Sequence, residues 1–172
     1  MSSRKRKPTF VLVIPRFEDI FHSYYAGEIV RGVSLSASRL NADFLIHIVD
    51  RTNHQGWLDS TLMDINYIDG IIFADIDNDI SVVKKAIQRG MPCMVLNNIL
   101  DEPMNYIAVD NHAAARNVVD HLIKLGHTQI ATVAGDISTQ AGLRRLDGYH
   151  QALQAKNIQV PRTYVSAASR SQ

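Results

Sequence analysis

The residues able to do chemistry in this 172-residue chain sit where apolar runs end. Asp50 and Arg51, Asp75, Asn97 and Asn98, and Asp110 and Asn111 each follow such a run, and a polar loop spans Gly135 to Gly142. Donors and acceptors so arranged suit a hydroxyl-rich ligand, with an aromatic face or two for the apolar side of a sugar or purine. Phe21, Ser23, Tyr24 and Tyr25 could supply those faces and hydroxyls, or the tyrosines could pack the start of a helix. Arg145 stands one turn inside the helix that follows the polar loop. Its fixed guanidinium fork fits a carboxylate, phosphate or vicinal diol, and an ordinary ion pair with Asp136 or Asp147 is the other reading.

Other chemistries fail on spacing. Asp75, Asp77 and Asp79 alternate as in a calcium loop, but Ile80 occupies the place of the turning glycine and Ala86 that of the bidentate glutamate. Asp75 alone stays a pocket candidate. None of the seven histidines pairs at i and i+4 on an expected helix, and Cys-x-x-Cys and His-Glu-x-x-His are absent. The single Cys93 lies in the apolar run Cys-Met-Val-Leu, where a packed thiol is expected rather than a nucleophile. Without a phosphate-binding glycine loop or a Gly-x-Ser-x-Gly elbow, no catalytic residue, metal or cofactor is expected.

The elements that must position these groups alternate in type. Phe10–Ile14, Phe44–Val49, Gly70–Phe73 and Cys93–Leu96 are continuous apolar runs, as in parallel strands covered on both faces. Between them fall a helix carrying Ile29, Gly32, Val33, Ser36, Ala37 and Leu40, one from about Gln55 to Asn66, and one from Ile80 to Arg89 stopped by Gly90. Further on, Asn111 is read as the N-cap of a helix with Ala114, Val118, His121, Leu122 and Leu125 at helical spacing. Gly126 ends it, and a strand over Ile130–Val133 follows. Strands alternating with helices at this spacing imply βαβ units with right-handed crossovers.

Val-Asp-Asn at 109–111, the run His121 to Gly135, and Arg145-Leu146-Asp147-Gly148-Tyr149 together resemble the effector-binding domain of LacI/GalR-type transcriptional regulators. The likeness is strongest in the central third and ends near Pro161. It implies an α/β fold of the periplasmic-binding-protein type I kind, a parallel sheet flanked by helices on both faces. The expected divisions are a basic disordered N-terminus over residues 1–9, a first lobe over 10–110, the start of a second lobe over 111–160, and an unstructured tail over 161–172. By resemblance Arg145 reaches the effector, Asn97 matches a polar contact position, and Thr139 and Ala141 fall where some members line the pocket. Family members start the first helix with Asn-Pro-aromatic-aromatic; here it is His22-Ser23-Tyr24-Tyr25, so the contact is shared between Tyr24 and Tyr25. Arg144 is expected to face solvent.

The implied function is ligand sensing for a repressor, with a small sugar or nucleoside-like effector held between two lobes and a homodimer as the partner state. Only nine residues precede Phe10, so DNA contact is expected only through a helix-turn-helix that this chain lacks, and weak effector binding without operator binding is the expectation for a truncated chain. A net charge of +1 leaves no electrostatic footprint for nucleic acid, although Arg4 to Lys7 form a short basic cluster. Neither a signal peptide nor a run of roughly 18 apolar residues is present, so a cytoplasmic protein without a membrane partner is expected. A periplasmic-type sugar-binding protein and a small flavodoxin-like or Rossmann-like enzyme are the alternatives.

Overall fold

The computed structural model describes residues 6–15, 24–49, 56–59, 66–74, 76, 80–101 and 103–167. They fall into two compact units, the first running to Leu96 and including Leu100–Ile107, the second comprising Asn97–Ile99 and the chain from Ala108.

In the first unit the four long apolar runs become β1 (Thr9–Pro15), β2 (Asp43–Val49), β3 (Gly70–Ala74) and β4 (Cys93–Leu96), and a short β5 (Tyr106–Ile107) is added. All pair in parallel in the order β2-β1-β3-β4-β5. Successive side chains of a strand point to opposite faces, and the sheet sorts its residues accordingly. Val11, Val13, Ile71, Phe73 and Val95 meet Val83 and Ala86 of helix α2 (Ser81–Gln88), together with Leu58. Leu12, Ile14, Ile72 and Ala74 meet Ile29, Val30 and Val33 of helix α1 (Tyr24–Arg39). The expected parallel sheet with helices on both faces is therefore present. Of the helix expected near 55–66, the described residues hold a 3-10 turn at Trp57–Asp59 with Leu58 buried, a bend at Gly56 and a turn at Asn66; residues 55 and 60–65 lie outside the described set.

The second unit contains α3 (Asn111–Lys124), β6 (Thr132–Val133), α4 (Gln140–Gln154) and β7 (Val165–Ser166), with β6 and β7 paired in parallel. Its core joins Val119, Ile130, Tyr149, Ala152 and Leu153, and the Tyr149 hydroxyl donates to the Ile130 carbonyl at 2.7 Å. The buried stripe of α3 differs from the expected one. Val119, Leu122 and Ile123 face the core, while Val118 and Leu125 are 62% and 63% exposed and His121 is exposed too. Two helical stripes one residue apart were available, and packing against α4 selects between them.

Two stretches expected to lack structure have it. Arg6 donates to the Tyr67 carbonyl and pairs with Asp69 at 3.0 Å, Lys7 approaches Asp43 at 3.8 Å, and the Thr9 amide donates to Asp69. Residues 6–9 are thus tied to the sheet, because Asp43 and Asp69 stand at the starts of the strands beside β1; residues 1–5 lie outside the described set. In the tail, Arg162–Tyr164 form a 3-10 turn and Val165–Ser166 are β7. A two-residue β6 needs a ladder partner, and the Ala134 amide finds one in the Ser166 carbonyl at 2.8 Å. Among the described residues no helix is long and apolar enough to cross a membrane.

Candidate functional site

The polar groups that converge do so in the second unit, where α3 and α4 begin. The helices can approach because Gly148 lacks a side chain: a Cβ there would lie 2.2 Å from the His112 carbonyl oxygen in the first turn of α3. A second close approach, at Gly142, folds the preceding loop onto α4, since a Cβ there would stand 2.0 Å from the Asp136 carbonyl oxygen.

Asp110, not Asn111, caps α3. Its carboxylate accepts from the Ala113 amide at 3.1 Å, one of the donors a helix start leaves unsatisfied. That bond, reinforced by Arg144, holds the Asp110 carboxyl below the usual carboxylate range. Arg144 was expected to face solvent but approaches Asp110 at 3.5 Å, and its buried Nε has no hydrogen-bond partner. The Asn111 side chain, released from capping, accepts from Arg145 Nη1 at 3.0 Å.

Arg145 is therefore oriented by a neutral amide, and it makes no ion pair among the described residues, so the expected alternatives Asp136 and Asp147 do not hold it. Its Nη2 lies 3.1 Å from where a Gly135 Cβ would stand, so the guanidinium rests against bare backbone. Gly135 has φ +75°, a conformation that glycine adopts without strain. One of the five guanidinium N–H donors is committed to Asn111, which leaves a fork aimed by the protein and open to a ligand.

The other expected site residues are divided between the two units. Thr139 lies beside this group, but it is the N-cap of α4; its hydroxyl accepts from the Gly142 amide at 3.1 Å and donates to the Asp136 carbonyl at 2.7 Å, which uses its only proton. Asp136 in turn accepts from the Ser138 amide and hydroxyl at 2.9 and 2.7 Å, giving the loop a defined shape. Asn97 belongs to the same unit, has φ +67° and is half-buried, with the buried Asn98 next to it. Tyr24 and Tyr25 open α1 in the first unit, 84% and 40% exposed, so neither is buried against the helix start. Phe21, Ser23, Asp50, Arg51 and Asp75 lie outside the described residues.

Two features had no counterpart in the sequence reading. Arg144 pairs with Asp110 across 34 positions, and the Gln140 side chain pairs with the backbone of Ile99 across 41. Neither spacing carries a local signal. Cys93 is half-buried with its thiol pushed up to about 11 by burial, which fits packing better than reactivity. No group of three or more His, Cys, Asp or Glu side chains among the described residues is placed to hold a metal ion.

A family profile described as periplasmic binding proteins and sugar binding domain of LacI family matches residues 8–169. The transcriptional regulator CelR of Thermobifida fusca is 29% identical over 150 residues, covering 83% of this chain and 42% of CelR. The transcriptional repressor CytR of Escherichia coli K12 is 30% identical over 170 residues, covering 95% of this chain and 47% of CytR. Among solved structures, a CelR–cellobiose complex superposes with a TM-score of 0.79 at 26% identity, covering 97% of this chain and 52% of that one. These relatives are transcriptional regulators rather than enzymes, and the chain spans about half or less of the length of each.

Proposed function

As the chain belongs to the family of periplasmic binding proteins and LacI-type sugar-binding domains, we propose that it is the effector-binding portion of a transcriptional regulator, with a small sugar or nucleoside-like compound as effector. The observation that carries this reading is the state of Arg145, held by Asn111 over Gly135 with no carboxylate partner among the described residues. Hydroxyl pairs of a sugar are acceptors that such a fork can grip. Asn97 in the same unit supplies a further amide, while Tyr24, Tyr25 and Phe21 are the aromatic contacts and Asp75 the acceptor that the proposal adds. The proposed partner state is a homodimer in the cytoplasm, read by sedimentation of the purified chain. An enzymatic role is not part of the proposal.

The test is thermal unfolding of the purified chain with cellobiose, ribose, glucose 6-phosphate and adenosine, each repeated with Arg145→Ala. A compound at 100 times its dissociation constant adds about 2.7 kcal/mol of stability. The expected result is that one compound stabilises the parent and leaves Arg145→Ala unmoved. Equal stabilisation of both proteins would remove Arg145 from the site, and no stabilisation by any compound would count against the effector reading.

A further inference from the structure

The first residue of α4 makes a double contact with the backbone of one distant residue. Gln140 Oε1 accepts from the Ile99 amide at 2.8 Å, and Gln140 Nε2 donates to the Ile99 carbonyl at 2.8 Å. The carboxamide thus pairs with both backbone groups of one residue, as a neighbouring strand would, and the contact is partly buried. Ile99 closes the three-residue segment Asn97–Ile99, which belongs to the second unit although its sequence neighbours on both sides belong to the first. Within that segment Asn97 holds a left-handed φ of +67°, a conformation asparagine adopts more readily than other non-glycine residues.

We propose that Gln140 is a positioning residue that fixes Asn97–Ile99 to the start of α4, so that Asn97 and Arg145 are presented to an effector as one rigid piece. This rests on the effector-binding reading above. Gln140 directly follows Thr139, the cap of α4, and precedes Arg145 by five residues, so the cap, the clamp and the guanidinium all fall at the start of the same helix. The chemistry required is narrow. The side chain must offer one donor and one acceptor in the same plane, which an amide does and an ionised carboxylate does not. Fixing the segment in advance lowers the ordering cost that a ligand contacting Asn97 would otherwise meet.

The test uses the full chain with Gln140→Ala and Gln140→Glu. Hydrogen exchange at the Ile99 amide, measured without ligand, is expected to accelerate about ten- to a hundredfold in Gln140→Ala, the scale of two hydrogen bonds lost. For whichever of cellobiose, ribose, glucose 6-phosphate or adenosine binds the parent but not Arg145→Ala, the dissociation constant is expected to rise about tenfold, or about 1.4 kcal/mol. Gln140→Glu at neutral pH keeps an acceptor for the Ile99 amide but sets its second oxygen against the Ile99 carbonyl, so it should fall between the parent and Gln140→Ala. It should recover relative to the parent as the pH falls toward glutamate protonation, because a neutral carboxyl both donates and accepts. A merely structural loss would not return with acid.

Unchanged exchange at Ile99 in Gln140→Ala overturns the clamp whether or not a ligand is known. Faster exchange with unchanged affinity overturns the positioning role and leaves the effector reading standing. If none of the four compounds binds the parent, the effector reading fails and the presentation role falls with it, and the clamp is judged on Ile99 exchange alone.

Discussion

Gly148 decides how near the two helices of the second unit come. A methyl group there would meet the His112 carbonyl oxygen, a backbone atom that cannot swing aside as a side chain tip can. Gly148→Ala is therefore expected to destabilise the chain by about 1–3 kcal/mol, the usual cost of overpacking, measured by urea denaturation. Faster exchange should appear in the first turn of α3 in the same variant. A neutral or stabilising outcome, as expected for glycine replaced at an open helix position, would mean that the close approach is absent. At this scale the sequence was partly legible: Arg-Leu-x-Gly-aromatic was recognisable as a motif, and the structure gives its glycine and tyrosine packing duties apart from the arginine.

At the scale of one element, the start of α3 makes a pH-dependent contribution. The folded chain holds the Asp110 carboxyl below its ordinary value through the Ala113 amide, with Arg144 assisting. A depressed acid contributes stability above its unfolded-state pKa and loses it as the pH falls through the folded one. Asp110→Ala is accordingly expected to lower the thermal midpoint at pH 7, by a margin that shrinks below the ordinary aspartate range as the parent loses the same contribution. Asp110→Asn keeps a capping oxygen and should flatten this dependence. A constant difference between parent and Asp110→Ala from pH 7 down to acid would disprove the assignment. Sequence placed this helix and its glycine stop correctly, Gly126 adopting φ +91°, but Asp110 and Asn111 are equally good caps by type.

At the scale of the molecule, the apolar residues left on the surface make a further expectation. Val118 of α3 and Leu125 just past its end are mostly exposed, and Val133 of β6 is more so. Large apolar side chains exposed on a surface attract hydrophobic dyes and partners. The folded chain is expected to raise the fluorescence of an anilinonaphthalene sulfonate dye at neutral pH. The pair Val118→Ser and Leu125→Ser should reduce that signal while changing unfolding free energy by no more than about 0.5 kcal/mol per site, as for exposed positions generally. If the substitutions instead destabilise the chain strongly, Val118 and Leu125 belong to the core and the stripe assigned from the sequence is the true one.

The sequence by itself determined what depends on neighbours a few positions apart. The apolar runs of β1 to β4, the glycine stops of α2 and α3, the βαβ order and the family likeness all follow from local pattern, because periodicity and turn chemistry are local properties. Tertiary structure alone decided which of two adjacent stripes α3 buries, whether Asp110 or Asn111 caps it, and that residues 6–9 and 162–166 join the fold. It also decided the partners of Arg144, Arg145 and Gln140, each at least 34 positions away. A local pattern leaves such choices degenerate, since the competing residues have the same propensities. The degeneracy is lifted only when a distant side chain arrives: Arg145 takes the Asn111 oxygen, and Asp110 is left to cap the helix.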